Sequence, residues 1–210
     1  MTTTAVAVDH ADQPGHDAHA HPPTSTGVSN EKVAMWAFLG SECLLFGALI
    51  STFFLYRDRA PLGTVKPHDL YDIPFTSGSS FILLMSSLTM VLALSAFRRG
   101  EHRRSSVWLA TTAILGAIFL GGQIYEFSVF VREGMTMKTN PASSAFYVLT
   151  GFHGTHVAIG VLMLLALVGM IARGKLPQAK AEVIEIAGLY WHFVDVVWVV
   201  VFTVVYLLPL

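Results

Sequence analysis

The stretch Tyr190-Trp-His-Phe-Val-Asp-Val-Val-Trp198 sets an imidazole and a carboxylate one helical turn apart, inside the apolar run 183–208. A charged side chain near a bilayer centre costs about 2.5–3.5 kcal/mol even on the mildest insertion scale, so such residues pair, face a protein neighbour, or function. Two further pairs have the same spacing: Gln123 with Glu126, and His153 with His156 in Gly151-Phe-His-Gly-Thr-His156. Residues three apart share a helix face, so three helices could aim His153, His156, Gln123, Glu126, His192 and Asp195 at one internal site. Glu42 stands alone in Leu39-Gly-Ser-Glu-Cys-Leu-Leu-Phe46, far from Lys32 and Arg57 at the ends of its run. It is therefore protonated or faces a polar group on another helix, and a carboxyl so placed can relay protons.

A carboxylate-bridged di-iron site is built from inward Glu and Glu-x-x-His pairs on bundled helices. The pairs here are His-x-x-His, His-x-x-Asp and Gln-x-x-Glu, so no intrinsic metal is expected. A membrane metalloenzyme or haem carrier using these groups stays as the distant alternative. The plainer reading is a hydrogen-bonded network that sets helix register, with Trp191 and Trp198 packing seven residues apart on a similar face.

Positioning such groups falls to membrane-spanning helices. The chain has 210 residues, 53% hydrophobic and 13% charged, with a mean hydropathy of +0.58, which describes an integral membrane protein. Net charge of −1 argues against nucleic acid as a partner. Five runs, about 32–56, 76–97, 106–131, 143–172 and 183–208, can each cross the bilayer. Residues 1–30 form a His- and Pro-rich tail predicted to be disordered, and 31–210 an all-α, five-span polytopic bundle. No signal peptide is apparent. Eight of the Lys and Arg residues flank one end of the runs and five the other, so the positive-inside rule puts the N-terminus in the cytoplasm and the C-terminus outside. Cys43, the single cysteine, reads as a packing residue. Gly40 and Gly47, Ser79, Ser80, Ser86 and Ser87, Gly154 and Ala158 read as small residues that let helices approach, within the bundle or at a partner interface.

Tyr190–Trp198, taken with Thr150-Gly-Phe-His-Gly-Thr-His-Val-Ala-Ile-Gly160, resembles haem-copper oxidase subunit III. Ser41-Glu42 followed by Leu-Leu-Phe, and Gln123-Ile-Tyr-Glu126-Phe, add to the resemblance in the family's order. It covers about residues 32–208 and suggests the five-helix bacterial type, lacking two initial helices of the longer mitochondrial form. The resemblance implies a subunit of a bacterial cytoplasmic-membrane respiratory complex that carries no catalytic centre of its own. Haem and copper would reside in partner subunits, with catalytic subunit I and subunit II as partners and phospholipid bound. In that reading the subunit stabilises the catalytic subunit and supports proton uptake. Glu42 matches the family's intramembrane, carbodiimide-reactive glutamate and is the proton-related candidate. Gln123, Glu126, His153, His156, Trp191, His192, Asp195 and Trp198 would be a structural or lipid-adjacent polar core. A cytochrome c oxidase is expected, with a quinol oxidase or a homologue linked to nitric oxide reductase as alternatives.

Overall fold

The computed structural model describes residues 29–57, 59 and 70–208. Among them are five long helices: α1 (Asn30–Tyr56), α2 (Ile73–Arg98), α3 (His102–Arg132), α4 (Pro141–Ala172) and α5 (Ala181–Phe202). Each is long and apolar enough to cross a membrane, and no strand occurs among the described residues. The tail expected over 1–30 lies almost wholly outside them.

Helix boundaries follow local chemistry more than hydropathy, and each helix starts two to four residues before its apolar run. Ser29, Asp72 and Asn140 accept hydrogen bonds from the backbone N–H of Lys32, Phe75 and Ser143, and Pro74 and Pro141 occupy first-turn positions whose N–H needs no partner. Gly100, Gly134 and Gly174 end α2, α3 and α4 with φ of 80°, 86° and 65°. In each case the next residue's N–H reaches back five residues, from Glu101 to Ala96, Met135 to Phe130 and Lys175 to Met170. That closure uses the left-handed conformation glycine adopts without a Cβ penalty.

Successive helices run antiparallel, and two clusters of contacts mark the ends. At the end where α1 begins, Lys32 pairs with Glu185 at 2.9 Å, Arg98 pairs with Glu185 at 2.7 Å, and Ser29 bonds to Glu182. At the other end Tyr71 packs against Phe146 (5.5 Å) and Tyr206 (4.5 Å). Helices α2, α3, α4 and α5 form a ring in which each packs on its two neighbours, and α1 lies outside against α4 and α5. Its buried residues, Leu39, Phe46 and Phe53, recur every seven positions, so a single seam holds it.

Of the two settings open to the small residues, bundle or partner interface, Gly40 and Gly47 fall outside the first. A Cβ placed on Gly40 or Gly47 would meet nothing within 4 Å, so neither glycine serves packing within this chain. Cys43 is likewise exposed on α1 rather than packed. All three lie off the one buried seam of α1.

The α2–α3 turn carries a pH-dependent element. Arg99 and Arg104 donate to Glu101 at 3.1 and 2.9 Å, and these bonds hold its carboxyl below the usual carboxylate range. A lowered folded-state value means the contribution is present above the unfolded-state value and is lost as pH falls through the folded one. Hydrogen exchange at the Gly100–Arg104 amides is therefore expected to accelerate, relative to an E101Q variant, as pH drops below the ordinary carboxylate range.

Candidate functional site

Trp191 and Trp198 organise the polar interior. From α5, the Trp191 indole N–H donates to Ser86 Oγ on α2 at 2.9 Å. Its ring fills the space over Gly116 on α3 and Gly160 on α4, where added Cβ atoms would come within 2.5 and 2.8 Å of it. Two turns along, Trp198 donates to Ser80 Oγ on α2 at 2.8 Å, meets Phe119 of α3 edge-on at 4.7 Å and stacks on His153 of α4 at 4.8 Å. Each tryptophan thus touches all three other members of the ring. Ser80 and Ser86 are indole acceptors, a role their small size alone did not reveal.

The three i, i+3 pairs do not converge, and the single internal site that the sequence allowed is absent. Gln123 donates to the Thr150 carbonyl at 3.1 Å. Glu126, one turn on, accepts from Thr76 Oγ1 at 3.0 Å and from the Tyr206 hydroxyl at 3.2 Å. Tyr206 reaches it from the π-helical turn Thr203–Leu207 that ends α5. Tyr71 lies beside this group in the connection before α2, where burial, with the Glu126 charge nearby, holds its phenol above the ordinary range.

His153 is fully buried, and neither ring nitrogen has a hydrogen-bond partner. Stacked on Trp198 and met edge-on by Phe119 at 5.8 Å, it serves as a packing ring. His192 shares a 2.6 Å hydrogen bond between Nδ1 and Ser87 Oγ. Asp195, 3% exposed, has no well-formed hydrogen bond to either oxygen, although the Ser87 hydroxyl lies within its influence.

His156 faces the other way, outward to α1. Its Nε2 stands 3.1 Å from Glu42 Oε2, and its Nδ1 is 2.8 Å from the Phe152 carbonyl oxygen. Tyr190 OH donates to the His156 carbonyl at 3.0 Å, and Phe46 meets the imidazole edge-on at 5.1 Å. Glu42 lies near the midpoint of Asn30–Tyr56 and His156 near that of Pro141–Ala172. The polar partner that Glu42 needed on another helix is therefore this histidine. No group of three or more His, Cys, Asp or Glu side chains suited to a metal gathers among the described residues.

Comparison with known proteins places this arrangement. The family model for cytochrome c oxidase subunit III matches residues 17–209. The chain belongs to the cytochrome c oxidase subunit III family. Among its relatives, the quinol oxidase subunit 3 of Bacillus spizizenii is 39% identical over 204 residues, covering 97% of this chain and 98% of that one. The cytochrome c oxidase subunit 3 of Bacillus sp. strain PS3 is 41% identical over 179 residues, covering 85% and 86%. The probable quinol oxidase subunit 3 of Staphylococcus saprophyticus is 33% identical over 193 residues, covering 92% and 96%. This member of the subunit III family is thus a multi-pass membrane subunit that works within an oxidase complex.

Proposed function

We propose that this subunit III serves a cytochrome c oxidase of a bacterial cytoplasmic membrane, with its N-terminus in the cytoplasm and its C-terminus outside. It binds catalytic subunit I, with subunit II in the same complex, and contributes stability and proton supply to the oxygen-reducing centre. The haems and copper reside in those partners, and no step of the chemistry runs through this chain's own residues. The histidines support this division. His153 is a stacked ring, His192 is engaged with Ser87, and His156 is paired with Glu42, each in a different place.

The observation that carries a proton-related role is the Glu42–His156 pair at mid-depth, two titratable groups between α1 and α4 with 14% and 12% of their side-chain surface exposed. A proton consumed at a catalytic centre must be replaced from scarce protons at neutral pH, and a neighbouring subunit that arranges carboxyls and imidazoles near the entry raises the local supply. We place a bound phospholipid between the same two helices. A cleft of about 630 Å³ is lined by Leu49, Thr52, Ala145 and Val148, with Lys138 among its polar lining residues. The apolar lining suits an acyl chain and Lys138 a phosphate.

The quinol oxidase reading is the second candidate, favoured by the relative whose match extends over 97% of this chain. A reduced-minus-oxidised visible spectrum of the complex that co-purifies with the tagged chain tests the assignment. A-type haem and turnover with reduced cytochrome c are expected. Turnover only with quinol moves the complex to the second reading, and haem in the isolated chain overturns both. Within the intact complex, Glu42→Gln is expected to cut the number of turnovers before inactivation several-fold. Unchanged activity, proton pumping and lifetime would refute the proton-related role and leave a packing one.

A further inference from the structure

We propose that Glu42 and His156 hold a single exchangeable proton in common, with His156 as the positioning residue that sets the protonation of Glu42. A carbonyl oxygen only accepts, so the 2.8 Å contact with Phe152 O places a hydrogen on His156 Nδ1. That fixes the role of Nε2, 3.1 Å from Glu42 Oε2. If Nε2 also carries a hydrogen, the pair is an imidazolium and a carboxylate. If it does not, the carboxyl supplies the hydrogen and Nε2 accepts it. Either way one proton lies between the two atoms.

Removing that proton sets a nitrogen lone pair against a carboxylate, and adding a second sets an imidazolium beside a neutral carboxyl, whose carbonyl oxygen still accepts. Both states leave net charge at mid-depth, where charge is costly, and the first also loses the hydrogen bond. One-proton occupancy is therefore the pair's stable condition. Other titratable groups nearby are few. Tyr190 from α5 bonds to the His156 backbone and interacts with Glu42, and His153 on α4 interacts with His156. His192 of α5 is engaged with Ser87, and no Lys or Arg ion pair to Glu42 or His156 occurs among the described residues. Partial exposure of both side chains leaves the proton open to exchange along the α1–α4 seam.

This deepens the proton-related reading of Glu42 proposed above, and its test does not depend on turnover. Infrared spectra of the assembled complex are titrated with pH, and subtraction of the Glu42→Gln complex isolates the Glu42 carboxyl band. His156→Gln keeps a donor toward Glu42 but cannot titrate, and His156→Phe removes both properties. The pH response of the carboxyl band is expected to change in both His156 variants, and the imidazole and carboxyl bands of the native complex to change together. Should a His156 variant fail to assemble, the Glu42→Gln complex supplies the reciprocal reading, a shifted imidazole midpoint. Equal carboxyl midpoints in all assembled forms, or an imidazole midpoint indifferent to Glu42→Gln, overturn the proposal. Coupled bands together with an unimpaired His156→Gln turnover lifetime support the shared proton and refute the proton-supply role.

Discussion

Gly160→Val and Gly116→Val are each expected to destabilise the bundle by on the order of 3 kcal/mol and to lower the amount of subunit retained in the purified complex. The reason is the rigidity of what they would strike. A Cβ on Gly160 lies 2.8 Å from the Trp191 ring, and one on Gly116 lies 2.5 Å from it. The indole cannot yield, because its N–H is held by Ser86 and the ring is fully buried among α2, α3 and α4. Any shift must separate helices, and within a bilayer close packing is the main attraction between them. Gly154→Ala is the informative contrast. Its Cβ would meet Gln123 Oε1 at 2.6 Å, the far end of a flexible side chain, which can swing aside for the loss of one bond to Thr150 O. Thermal denaturation in detergent, followed by near-ultraviolet circular dichroism, ranks the variants. Gly160→Val as stable as Gly154→Ala would sink the keystone role assigned to Trp191.

Glu126→Ala is expected to cost on the order of 2–4 kcal/mol, because it orphans donors in a buried site and each orphan costs about 1–3 kcal/mol. Tyr206 OH and Thr76 Oγ1 both donate to this carboxyl, tying the π-helical end of α5 to the start of α2 across α3. Thr76 keeps a second acceptor in the Asp72 carbonyl at 2.9 Å, so the larger share of the loss falls on Tyr206. Glu126→Gln retains an acceptor oxygen and is expected to recover most of the stability. Hydrogen exchange at residues 203–208 is the discriminating readout. Exchange there should rise in the alanine variant and stay near native in the glutamine one, and equal protection in both would show that Glu126 does not anchor the α5 end.

The elements were legible in the chain itself. Runs of apolar residues can satisfy their backbone in lipid only as helices, so the five helices follow from length and hydropathy. Their ends were less legible, because caps such as Asp72 and Asn140 and the glycine stops are polar or small residues that hydropathy does not weigh. The functional candidates were legible as residue types for the same energetic reason. An ionisable group in a span needs a partner, and that singled out Glu42, Glu126, His153, His156, His192 and Asp195.

Partnership was another matter. Sequence places His153 and His156 on one face, and so they could share a site. The fold turns His153 into the ring against Trp198 and His156 onto the seam with α1. The serines of α2 looked like spacers until two indoles were found bonded to them, and α1 docks along Leu39, Phe46 and Phe53, which leaves Gly40 and Gly47 off the seam within this chain.

What the sequence alone determined about this protein is its class, its helices, its family and the short set of residues whose burial demands an explanation, because hydropathy and motif spacing are local properties. What only the tertiary structure decided is which of those residues meet. Partner choice depends on helix order, rotation and depth, and these are set jointly by the packing of α2 to α5 around Trp191 and Trp198 and of α1 along its seam with α4 and α5.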